Sequence, residues 1–211
     1  MENALSKEAR NICQLGPVVP VIVLEDADDA TPLGEALLAG GIKVLEITMR
    51  TPAALAAIEE AAKIDGAIVG AGTVLSKADL LNAKSAGAQF VVSPGFNEDI
   101  IEAANEADMP LLPGATTPAE VMTLRSAGFH MLKFFPANTA GGPKMLQAFG
   151  SVFTDVSFCP TGGISAATAS DYLSLSNVSC VGGSWLAPKD KIADKDFAAI
   201  TNLAKATVAL W

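Results

Sequence analysis

The chain has 211 residues, half of them hydrophobic and only 6% aromatic, which suits one domain with a core of Ala, Val, Ile and Leu. With 23 acidic residues against 14 basic ones it carries a formal net charge of -9, which excludes a general attraction for nucleic acid or an anionic membrane surface. An anionic ligand must then find a local site made of backbone N–H groups or a placed cation.

In chain order, short apolar runs alternate with Ala-rich amphipathic stretches that end in Gly or Pro. A helix over 7–14 opens the chain. Apolar runs predict strands at 18–24, 44–49, 67–69, 90–92, 111–112, 131–135, 157–159 and 178–181. The stretches between them predict helices at 31–39, 52–64, 77–86, 97–107, 118–127, 143–149, 166–174 and 197–209. Gly40-Gly41 stops the second helix of the chain. Small branched residues suit parallel strands covered by helices on both sides. About eight strand–helix units without a linker point to an α/β fold, a (β/α)8 TIM barrel with an extra N-terminal helix, as a single domain over 1–211. An open doubly wound sheet is the competing architecture. It usually carries its ligand loop after the first strand, and no Gly-x-Gly-x-x-Gly stands there.

Cys13, Cys159 and Cys180 have no metal-motif spacing and read as reduced, buried or half-buried thiols of a cytosolic protein. Met1-Glu2-Asn3 lacks a basic region followed by an apolar run, so no signal peptide is expected. No apolar run reaches the ~18 residues that a membrane span needs.

In a barrel the active site lies at the C-terminal ends of the strands. Polar residues late in apolar runs are therefore the candidates. Lys133, within Met131-Leu132-Lys133-Phe134-Phe135-Pro136, is the one lysine embedded in an apolar run; the others fall in helices, turns or element ends. A desolvated amine gives up its proton more readily and is the usual nucleophile towards carbonyl carbon. The same residue is also compatible with a side chain that snorkels to solvent. In Val44-Leu45-Glu46-Ile47-Thr48-Met49-Arg50, alternation puts Val44, Glu46, Thr48 and Arg50 on one side. Glu46 then projects inward as a general acid/base, and Arg50 can fork onto a carboxylate at the mouth. A structural ion pair of Glu46 with Arg50 or Lys133 fits equally well. Parity puts His130, the one histidine, on the other side from Lys133, so a carboxylate must do the proton work.

Two glycine loops complete the pattern. Pro160-Thr161-Gly162-Gly163 follows the seventh predicted strand and Gly182-Gly183-Ser184 the eighth. Barrels often bind phosphate in these two loops. Gly70-Ala71-Gly72-Thr73 and Ser93-Pro94-Gly95 could line the same mouth, and each could equally be a tight turn.

With these residues the sequence resembles, over nearly its whole length, the 2-keto-3-deoxy-6-phosphogluconate (KDPG) and 4-hydroxy-2-oxoglutarate (KHG) aldolases. The markers are Gly16-Pro17-Val18-Val19-Pro20-Val21-Ile22, Val44 through Arg50, and Val69-Gly70-Ala71-Gly72-Thr73-Val74-Leu75. They continue with Ser93-Pro94-Gly95, Lys133-Phe134-Phe135-Pro136, Cys159-Pro160-Thr161-Gly162-Gly163-Ile164 and Gly182-Gly183-Ser184-Trp185. The resemblance implies a (β/α)8 barrel, a homotrimer, and a cytoplasmic lyase of the Entner–Doudoroff route that uses neither metal nor organic cofactor. It implies Lys133 as the Schiff-base lysine and Glu46 as the proton carrier. Arg50 and Thr73 would meet the pyruvyl carboxylate, and Pro94 and Phe135 would line the pocket. Thr161, Gly162, Gly163 and Ser184 would follow the remaining chain and its phosphate, with Gly182 and Gly183 beside them. The implied partner is a small phosphorylated 2-keto acid, with no nucleic acid and no membrane. A similar family for the galactonate analogue lacks residues matching Arg50 and Thr161, which favours the gluconate-type substrate. Two other functions fit the residues without the resemblance. One is a phosphosugar isomerase or epimerase that uses Glu46 alone; the other is a non-catalytic barrel that binds an anionic metabolite.

Overall fold

Val, Ile and Leu runs form the strands, and the Ala-rich stretches between them form the helices. The computed structural model describes residues 1–209; positions 210 and 211, the end of the expected domain, lie outside the described residues. The strands are β1 (Val18–Ile22), β2 (Val44–Thr48), β3 (Ile68–Gly72), β4 (Phe90–Val92), β5 (Leu111–Leu112), β6 (Gly114–Ala115), β7 (Met131–Phe134), β8 (Ser157–Pro160) and β9 (Val181–Gly183). Helix α1 (Ala4–Cys13) precedes β1. After it come α2 (Ala30–Ala39), α3 (Ala54–Ala61), α4 (Lys77–Ser85), α5 (Glu98–Ala107), α6 (Pro118–Ser126), α7 (Gly142–Val152), α8 (Ala169–Leu173), α9 (Lys189–Ala193) and α10 (Phe197–Val208). Among the described residues no helix is long and apolar enough to cross a membrane.

All strand pairs are parallel, in the orders β5-β4-β3-β2-β1-β9 and β6-β7-β8. The fold is an α/β arrangement with a curled parallel sheet. Pro113 separates β5, which pairs with β4, from β6, which pairs with β7. Proline has no N–H for a ladder, but its carbonyl accepts from the Lys133 N–H at 2.9 Å. Isolated bridges Phe158–Val178 and Thr161–Gly182 connect the β8 side to the chain around β9.

Period-two alternation sorts the side chains between two apolar clusters. Leu45, Ile47 and Leu132 join the helices in the larger one, while Val44, Met131 and Cys159 face the interior in the smaller. Ile12 and Cys13 of α1 close the smaller cluster from below. That helix is pinned at the feet of β7 and β8. Arg10 donates to the His130 carbonyl at 2.9 Å and to Ser157 Oγ at 2.6 Å, and Ser6 Oγ accepts from the His130 and Met131 N–H groups. The three cysteines are free and buried.

Several elements depart from the sequence expectation. β3 runs on through Gly70-Ala71-Gly72, a stretch that reads as a loop, and β6 falls where no element is expected. The final strand is Val181–Gly183 rather than 178–181. Gly182 and Gly183 look like a turn, yet they pair with Val19 and Pro20 of β1. Val178 makes only a bridge to Phe158. The short helix α9 falls where the sequence reading placed no element.

Candidate active site

Glu46 and Lys133 continue the inward parity of Val44 and Met131, one level nearer the C-terminal ends of their strands. Their strands are not neighbours, but curling brings Lys133 Nζ within 3.4 Å of Glu46 Oε1. Both side chains are buried, and Lys133 is the one buried lysine among the described residues. The snorkelling alternative therefore does not hold. The Phe135 ring centroid lies 5.4 Å from Nζ and shields the amine on the mouth side.

Burial pushes the Glu46 carboxyl above its ordinary value of 4.5, against the opposing pull of Lys133 and Arg50. The folded chain thus holds a proton there at pH values where the unfolded chain has released it. This carboxyl's contribution to stability is full below 4.5 and is lost as pH rises through the raised folded value. Glu46→Gln cannot titrate. The melting temperature of Glu46→Gln relative to the parent should therefore move in the variant's favour as pH rises from 4.5 to neutrality, followed by calorimetry. A constant difference across that range would mean that Glu46 titrates as in the unfolded chain.

Above the pair, a cavity of about 560 Å³ opens at the C-terminal ends of the strands. Ten of the twelve expected site residues line it: Arg50, Thr73, Pro94, Lys133, Phe135, Thr161, Gly162, Gly163, Gly182 and Ser184. Glu46 lies behind them, against Lys133. Gly183 is the one that the structure does not bring to the cavity. Strand parity turns it the other way, and a Cβ there would stand 1.9 Å from the Trp185 ring. Val21, Leu75 and Ile164 also line the cavity. They stand inside the family markers, but as apolar residues in an apolar chain they carry no sign of facing a site.

Arg50 follows β2 and Thr73 follows β3, and Arg50 Nε donates to Thr73 Oγ1 at 3.3 Å. Thr73 has φ +59, a left-handed conformation that a β-branched residue seldom adopts. Such strain gathers at functional sites, and here it aims a hydroxyl at the arginine. Across the mouth, Gly162 and Gly163 adopt φ +106 and +74. Those conformations expose backbone to the cavity and are open to glycine. A Cβ on Gly182 would lie 2.2 Å from Thr161 Oγ1, so this glycine makes room for the threonine hydroxyl. His130 sits at the foot of β7, with Nδ1 3.1 Å from the Asp155 carbonyl, away from the cavity. Among the described residues no group of three or more His, Cys, Asp or Glu side chains could hold a metal ion.

The aldolase family described as KDPG and KHG aldolase matches residues 9–203. The KHG/KDPG aldolase of Escherichia coli K12 is 49% identical over 201 residues, covering 95% of this chain and 94% of the relative. A crystal structure of the KDPG aldolase of Zymomonas mobilis ZM4 with 3-phosphoglycerate superposes with a TM-score of 0.94 at 46% identity, covering 98% of this chain and 97% of that one. The Legionella pneumophila KDPG aldolase, with pyruvate captured as a covalent carbinolamine, gives a TM-score of 0.93 at 42% identity, covering 95% and 98%. The chain is of the aldolase class. Within it, the chain belongs to the KDPG and KHG aldolase family.

Proposed function

We propose that this protein is a class I aldolase that cleaves KDPG to pyruvate and glyceraldehyde 3-phosphate, and KHG to pyruvate and glyoxylate. The observation that carries the proposal is the buried amine of Lys133 beside one carboxylate at the floor of a cavity of about 560 Å³. Lys133 Nζ attacks the C2 ketone, and loss of water gives an iminium ion. Glu46 takes the C4 hydroxyl proton, directly or through a water. The C3–C4 bond breaks, its electrons flow into the iminium to form an enamine, and the aldehyde leaves. Protonation at C3 and hydrolysis release pyruvate and free Lys133. Arg50 and Thr73 hold the pyruvyl carboxylate, Pro94 and Phe135 bound the pocket, and Thr161, Gly162, Gly163 and Ser184 receive the distal phosphate.

The fold reading that goes with this is a closed (β/α)8 barrel with an additional N-terminal helix. Its support is that Pro113 alone separates β5 from β6, and that two bridges link the β8 side to the chain around β9. A single domain and a homotrimer are part of the proposal on the resemblance, and the three free thiols suit a reducing cytoplasm.

Incubation with pyruvate and borohydride tests the chemistry. One adduct per chain is expected, and peptide mapping should place it on Lys133. Modification elsewhere, or none, rules out the Schiff base. The phosphate end has its own test. Gly162→Ala puts a side chain on φ +106, with its Cβ 3.3 Å from the Pro136 Cα. Losing one charge-assisted hydrogen bond costs about 1.5–3 kcal/mol, or roughly 10- to 100-fold in affinity. KM for KDPG should rise by about that factor, while KM for the phosphate-free KHG changes little. Equal losses on both substrates would mean that this loop only shapes the mouth.

A further inference from the structure

Glu46 fills the space left by an absent side chain on the next strand. In the β2–β3 ladder Glu46 stands opposite Gly70 and Thr48 opposite Gly72. A Cβ on Gly72 would lie 2.2 Å from Glu46 Oε1, 2.8 Å from its Cγ and 2.9 Å from its Cδ. These are the three nearest atoms, so the carboxylate fills the space that a side chain on Gly72 would take. Gly72 is not among the glycines with positive φ, so its backbone conformation does not demand glycine. A methyl group there would push on the Glu46 side chain from Cγ to its carboxylate rather than on backbone, which displaces the carboxylate before it disturbs the sheet. The other glycine of β3 works in the same sense. The Phe90 ring lies 2.3 Å from where the Gly70 Cβ would be, and so occupies the place beside Glu46 at the same level of the sheet.

We infer that Gly72 is a positioning residue for proton transfer: its missing side chain forms the niche that keeps the Glu46 carboxylate beside Lys133. The inference rests on the acid–base role proposed for Glu46. A displacement of about 1 Å at a reacting group can cost on the order of 10²-fold in rate. Gly72→Ala should therefore fold, and should still form the borohydride-trapped pyruvate adduct on Lys133. Exchange of pyruvate methyl protons with deuterated water, followed by NMR, should fall about 10²-fold.

The decisive arm repeats the change where the niche is empty. In a Glu46→Ala background the methyl meets no carboxylate, so Gly72→Ala should lower residual exchange by less than about twofold, the non-additivity of groups acting through one contact. Wild-type exchange in Gly72→Ala, or the same loss in both backgrounds, overturns the inference. If the single variant fails to fold while the double variant folds, the contact with Glu46 is supported; if both fail, it is refuted. Wild-type exchange in Glu46→Ala alone would instead remove Glu46 from protonation of the enamine, and overturn the inference with it.

Discussion

Replacing Lys133 by methionine is expected to abolish KDPG and KHG cleavage, by roughly 10⁴-fold or more, the scale seen when a covalent nucleophile is removed. Thermal stability should be largely retained. Methionine matches the length of the lysine stem and suits the apolar surroundings of β7. The change also removes the cation that holds Glu46 down. Breaking a buried ion pair is normally costly because one charge is left without a partner. Here burial already drives Glu46 towards its protonated form, so the remaining carboxyl can become neutral rather than stay as a buried anion. Steady-state assays with both substrates, with circular dichroism and melting as controls, read the result. The borohydride adduct should disappear as well. An isomerase that used Glu46 alone would keep much of its activity without Lys133 and would never have formed the adduct. Retained cleavage in a folded Lys133→Met variant would mean that Lys133 is not the covalent lysine and that another group activates the ketone.

Much of this site is legible in the sequence because two simple rules apply to it. The first is parity. Val44-Leu45-Glu46-Ile47-Thr48 and Met131-Leu132-Lys133 alternate between interior and helix-facing sides, so spacing alone puts Glu46 and Lys133 in the interior, and they meet there at 3.4 Å. The second is energetic: a lysine in an apolar strand must be paired or give up its proton, and Glu46 stands beside it. The glycines were harder. Gly182-Gly183 resembles a turn in composition, but it continues the ladder with β1, since glycine gives no local preference that a register could override. The same parity that placed Glu46 correctly puts Gly183 outside the cavity, facing Trp185, once the strand is extended. The Gly72 niche had no readable sign, because it depends on the Cα register between β2 and β3, which strand spacing does not set. Val21, Leu75 and Ile164 were hidden for a different reason. Apolar lining residues differ from core residues only in which surface they face.

Glu46→Gln separates a carboxylate that carries protons from one that only balances the charge of Lys133. The structure gives reasons to consider both. Its Oε1 stands 3.4 Å from Nζ, as a counter-ion would, yet burial keeps it readier than an ordinary glutamate to hold a proton. A counter-ion stabilises the protonated lysine, which cannot attack a ketone. Removing a mere counter-ion should leave imine formation intact or faster, with little harm to cleavage. A proton carrier is needed at C–C cleavage and again at protonation of the enamine. The expected result is the second: turnover falls by roughly 10²–10⁴-fold, the usual span for general acid–base catalysis, while the pyruvate adduct still forms on Lys133. Exchange of pyruvate methyl protons should fall by a similar factor, since it uses the same proton transfer and no aldehyde. Glu46 stands behind Lys133 rather than on the cavity wall, so a bridging water is the natural carrier for the longer transfer to the C4 hydroxyl. That makes the two steps separable. If exchange in the Gln variant proceeds at the parent rate while cleavage is lost, Glu46 serves only the C4 hydroxyl, and the enamine takes its proton from another group at the mouth.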